Sequence, residues 1–60
     1  MKLKRASKKV EHLGLEIQKR LYGYAPEWIN ATEQKSVCFP NEREALTAVL
    51  VNGFRPTKIR

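Results

Sequence analysis

Residues 7–22 read Ser-Lys-Lys-Val-Glu-His-Leu-Gly-Leu-Glu-Ile-Gln-Lys-Arg-Leu-Tyr, and the fold turns on how this stretch is read. Val10, Leu13, Ile17 and Leu21 recur at three- and four-residue spacings, which on a helix form one narrow apolar stripe. Ser7 is suited to cap such a helix by accepting a backbone N–H. Glu16 and Arg20 stand four residues apart with the acid first, the order that better supports a helix. Gly14, beside the stripe, would admit close packing of another element. Gly23 suits the left-handed residue that ends a helix, with Tyr24 folding back on the last turn. The spacing therefore predicts a first helix from about Ser7 to Tyr22.

Further along, Asn41 and Glu44 form a variant of the capping box, with Pro40 just outside it. Ala45, Leu46, Val49 and Leu50 then share one face, and Gly53 can end this second helix with Phe54 packing back toward Val49. Residues 25–39 allow two readings. Pro26 can open a short helix reaching Gln34. Alternatively, Trp28 to Thr32 and Ser36 to Phe39 form two short strands, although Glu33-Gln34-Lys35 is poor turn chemistry between them. Phe54 to Arg60 can add a last strand, which Pro56 confines to an edge or tail. The expected class is α+β, ordered helix, hairpin, helix, edge strand; a three-helix all-α domain is the alternative.

Sixty residues make one small domain, 1–60, with 1–6 read as a basic N-terminal arm and 55–60 as a basic C-terminal tail. An apolar content of 42% excludes a wholly disordered chain. One Cys excludes an internal disulfide framework, and one His beside it argues against a structural zinc site. Cys38, between Val37 and Phe39, reads as a small buried apolar residue. A core this small favours help from a partner, so a homo-oligomer, most simply a two-fold dimer, is a natural expectation. Met1 to Arg5 has the charge of a signal's first region. Ala6-Ser7-Lys8-Lys9 stands where its apolar stretch would follow, so a cytoplasmic location is expected. The longest nearly apolar run, Ala45 to Val51, is too short to span a bilayer.

The twelve Lys and Arg outnumber the six Glu, and Asp is absent, for a net charge of +6. They are unevenly placed. Residues 1–20 carry seven cations and two Glu, residues 21–53 two cations and four Glu, and residues 54–60 three cations and no acid. Lys19 and Arg20 would suit the last turn of the first helix as expected above. Lys8 and Lys9 would lie in its first turn, where the helix dipole disfavours cations. With Lys2, Lys4 and Arg5 they make a repulsive cluster that a phosphate backbone would relieve. Lys8, His12, Leu15, Lys19 and Tyr22 would line the face opposite the stripe, and a Tyr among cations can stack on a base. His12 protonated beside a phosphate predicts tighter binding at mildly acid pH. The bland counterpart is that basic ends serve solubility.

Catalysis is not expected. The six Glu are scattered, the three Gly are isolated, and so short a chain leaves little room for a ligand pocket of about 300 Å³ or more. No cofactor and no metal are expected. The functional expectation is a small nucleic-acid-binding accessory or regulatory protein, with DNA and RNA not distinguished. It would contact phosphates through Lys2, Lys4, Arg5, Lys8, Lys9, His12, Lys19 and Tyr22, and at the other end through Arg55, Lys58 and Arg60. The alternative is a protein-interaction module, such as an inhibitor, adaptor or complex subunit, using Leu15, Trp28 and Val51 if exposed. Membrane attachment ranks last, because the stripe lacks Trp and Phe.

Overall fold

The computed structural model describes residues 3–59, so Lys2 and Arg60 lie outside the described residues. Six elements follow one another: α1 (Leu3–His12), β1 (Leu15–Arg20), β2 (Gly23–Trp28), β3 (Gln34–Lys35), α2 (Glu42–Leu50) and β4 (Thr57–Lys58). The class is α+β, with β1 and β2 in one antiparallel pair and β3 and β4 in another.

The first helix is not where the stripe put it. It covers Leu3–His12 and stops at Gly14, whose φ of 86° is a left-handed conformation. Leu13 N–H donates to Val10 C=O and Gly14 N–H to Glu11 C=O, closing the last turn. Ser7 is therefore inside the helix and caps nothing. Residues 3–6 are helical and not an extended arm. Beyond Gly14 the chain reverses as a strand, so Val10, Leu13, Ile17 and Leu21 share no helical face. Val10 is buried, Leu13 is 42% exposed and Leu21 88% exposed.

The hairpin pairs Leu15 with Trp28, Ile17 with Pro26 and Arg20 with Gly23 across a two-residue turn, Leu21-Tyr22. Neither turn residue has a positive φ; that conformation falls on Gly23, at 141°. Gly23 is also a site of close approach. A Cβ there would come within 2.3 Å of the Phe39 carbonyl oxygen. The crowding arises because Tyr24 and Phe39 form an antiparallel bridge, with N–H···O distances of 2.9 and 2.8 Å.

That bridge begins a complete pairing of the outer edge of β2. Pro26, which has no N–H, offers its carbonyl to the Ser36 hydroxyl at 2.6 Å. Trp28 N–H donates to the Gln34 side-chain oxygen, and the Gln34 amide nitrogen returns a bond to Trp28 C=O at 3.0 Å. The Gln34 side chain thus substitutes for a strand residue. Residues 25–39 contain no helix and no hairpin between Trp28 and Phe39. Instead, Gln34–Lys35 pairs with Thr57–Lys58, and Ile59 N–H donates to Glu33 C=O at 3.0 Å. The last edge strand is therefore present, and the segment 55–59 is no free tail.

The core joins Ala6 and Val10 of α1, Leu15 of β1 and Leu46 and Val49 of α2, with Ile17, Trp28, Leu50 and Phe54 packed against it. Leu15, one of the candidate contact residues, is fully buried. The second helix matches its sequence signals. Asn41 accepts from Glu44 N–H at 2.9 Å, acids occupy the first turn, and Gly53 takes a φ of 73°. Phe54 N–H then donates to Ala48 C=O at 2.9 Å, and the Phe54 ring meets Phe39 edge-on at 5.9 Å. Cys38 is exposed, contrary to its reading as a buried residue: the backbone pairing of Phe39 leaves the neighbouring side chain outside.

Candidate functional site

The outer face of α1 gathers five of the anticipated residues. Ala6 and Val10 face the core, four residues apart. Lys4, Lys8 and His12 form a row at the same spacing, and Arg5 and Lys9 a second row beside it. At 3.6 residues per turn these five occupy an arc of about 140°, roughly opposite the buried pair. All five residues are exposed. Glu11 lies at the edge of the arc, and no acid interrupts it.

None of these side chains pairs with a carboxylate of the chain among the described residues. The one ion pair found there is Arg20–Glu27, where Nε and Nη2 donate to the two carboxylate oxygens at 2.8 and 2.5 Å. The bidentate bonds and the charge of Glu27 raise the Arg20 pKa above its ordinary value. This fork replaces the helical Glu16–Arg20 pair expected from spacing. The two residues lie on the same face of β1, and Glu16 accepts instead from the Gln18 amide.

Lys9 and His12 lie in the last turn of α1, where cations are favoured, so Lys8 and Lys9 are not the anomaly. Lys4 and Arg5 are, because they stand in a first turn that contains no acid.

The other anticipated contacts separate from this face. Lys19 is on β1 and Tyr22 in the hairpin turn, so neither shares a helical surface with Lys8 and His12. Tyr22 does not pack on Trp28 as a core aromatic would; it is 85% exposed. Arg55 is engaged at the end of α2, its Nη1 donating to Val49 C=O at 3.2 Å and to Phe54 C=O at 2.8 Å. Lys58 places its ammonium 5.0 Å from the centre of the Trp28 ring, whose Nε1 donates to Pro56 C=O at 2.7 Å. Arg55 and Lys58, the two cations of the C-terminal segment among the described residues, therefore have structural partners.

The protein-interaction patch does not assemble as anticipated, since Leu15 is buried and Trp28 half-buried, while Val51 is 69% exposed. Leu21, which the helical reading hides, is more exposed than any of them. Its signals were the alternation of Leu15 and Ile17 with Glu16 and Gln18, and a glycine two positions after it.

An open groove of about 360 Å³ on α2 is lined by Phe39, Arg43, Glu44, Thr47, Ala48 and Asn52, larger than expected for so short a chain. It contains neither His nor Cys, and the Thr47 hydroxyl is already donated to Arg43 C=O. No group of three or more potential metal ligands gathers among the described residues, and no helix there is long and apolar enough to cross a membrane. Comparison with known proteins finds no matching family model, no matching curated protein and no matching solved structure.

Proposed function

We propose that the protein binds nucleic acid through the outer face of α1, with Lys4, Arg5, Lys8, Lys9 and His12 against the phosphate backbone. The observation that supports this reading is the acid-free cationic arc opposite Ala6 and Val10, without a carboxylate partner among the described residues. A bound polyanion would offset the repulsion among these side chains and release counterions. The face offers cations and no set of planar amides, so it suits backbone contact and not base readout. An accessory or regulatory role is part of this proposal. The protein-interaction reading draws on other residues: Leu21, Tyr22 and Val51 are exposed and large.

One titration separates the two. Binding of a labelled duplex, followed by anisotropy across a salt series, should weaken with a log–log slope of about −0.9 per phosphate contacted. Lys8→Glu with Lys9→Glu should lower affinity about tenfold or more on every sequence alike. Affinity that ignores both salt and this substitution would sink the proposal. A protein partner retained at high salt would favour the second reading.

A further inference from the structure

The two edges of the hairpin are treated differently. The outer edge of β2 is paired throughout, by Phe39, Ser36 and Gln34. The outer edge of β1 is not. Tyr24 turns its main-chain groups away from β1 toward Phe39, and its register partner is Lys19. In an antiparallel ladder the main-chain groups of Lys19 and Ile17 must then also point away from the hairpin, while Glu16, Gln18 and Arg20 bond inward. The bond from Ile29 N–H to Gly14 C=O, at 2.9 Å, continues the same alternation. No backbone or side-chain partner meets the outward groups of Ile17 and Lys19 among the described residues. Lys19 is exposed and Ile17 partly so. Open strand edges recruit further strands.

We infer that a second copy of this chain pairs antiparallel along this edge, on a two-fold axis at Gln18, making one continuous sheet from two hairpins. Charge selects both the occupant and the register. Within its own hairpin Glu16 stands directly opposite Glu27, a like-charge pair. Arg20 neutralises Glu27 through Nε and Nη2, which leaves its Nη1 undonated and Glu16 with only the Gln18 amide. With the axis at Gln18, Glu16 of each copy lies across from Arg20 of the other. Ile17 exchanges main-chain bonds with Lys19 of the other copy. Moving the axis to Lys19 would set that lysine against itself, and moving it to Ile17 would match no acid with a cation. The strand is thus its own electrostatic complement, which a generic extended peptide would not be.

Sedimentation equilibrium of the full chain should give twice the monomer mass, with a concentration-dependent return to monomer. Lys19→Pro removes an outward donor without touching a β1–β2 bond and should yield monomer. Glu16→Arg leaves every main-chain bond in place, so it reads the interface even if proline disturbs the hairpin. It should weaken dimerisation about tenfold or more, because arginine then faces arginine twice. Gln18→Cys in a Cys38→Ser background should oxidise to a linked dimer, because residues across the axis in a non-hydrogen-bonded pair stand about 4.5 Å apart at Cα. Lys35→Cys in the same background should not. A wild-type monomer at millimolar concentration, a dimer indifferent to Lys19→Pro and Glu16→Arg, or equal cross-linking at residues 18 and 35 would each overturn the inference.

Discussion

Helix α2 is supported at both ends by its neighbours in sequence, whereas α1 is closed by Gly14 at its C-terminal end and has no acid in its first turn. At its start α2 has Asn41 bonding to Glu44 N–H and acids in the first turn. At its end the Arg55 guanidinium meets the Val49 carbonyl. These charges and caps suit the orphan backbone groups and the dipole of the helix they serve. In α1 the contact with the protein is Ala6 and Val10, and the first turn carries Lys4 and Arg5 against the dipole. Where charges complement their own helix, they need no ligand to explain them. Where they oppose it, as Lys4 and Arg5 do in the first turn of α1, no local stabilisation of the helix accounts for them. The comparison thus separates residues that build the fold from residues free to bind.

Gly23→Ala tests the junction between the two regions and should have the largest effect. It combines a φ of 141° with a Cβ 2.3 Å from the Phe39 oxygen, and that oxygen belongs to the segment leading into α2. A loss of about 3 kcal/mol or more is expected in denaturant unfolding. Next come the two anchors. Leu46→Ala, at a fully buried site, should cost about 3 kcal/mol, and Val10→Ala about 2 kcal/mol. Their hydrogen-exchange patterns should differ: loss of Leu46 loosens the whole core, and loss of Val10 exposes the α1 amides first. Equal exchange across both helices in the Val10 variant would show that α1 has support beyond Ala6 and Val10. Asn41→Ala should cost about 1 kcal/mol, by removal of one cap.

The same contrast explains what was legible in the sequence. The cap, acids and terminating glycine of α2 act within a few residues of one another, so local chemistry sufficed. In residues 7–22 the period of Val10, Leu13, Ile17 and Leu21 matched a helix by coincidence. The decisive residue was Gly14, which ends α1 instead of lying within it. Leu21-Tyr22 lacks the Gly or Asn of common hairpin turns, since the positive φ falls on the following Gly23. The Gln34 side chain acting as a strand partner for Trp28 depends on tertiary placement and leaves no periodic trace. For the candidate site, the cation cluster was legible and its surroundings were not. The partners of Arg55 and Lys58, a helix-end carbonyl and an indole ring, become visible only after folding.

The smallest expected effect on stability is the sharpest test of the comparison. Lys4→Glu with Arg5→Glu places acids at the positive end of the α1 dipole, as Glu42 and Glu44 stand in α2. If the cations serve a ligand and not the helix, the double variant should be more stable by about 0.5–1 kcal/mol, read as a small rise in thermal midpoint. The same variant should lose salt-dependent duplex binding, because two of the cations proposed to meet phosphate have become anions. Stability and affinity would then move in opposite directions, as expected for residues kept at a local cost. A fall in stability would mean that Lys4 and Arg5 support the fold itself, and the contrast between the helices would lose its functional meaning.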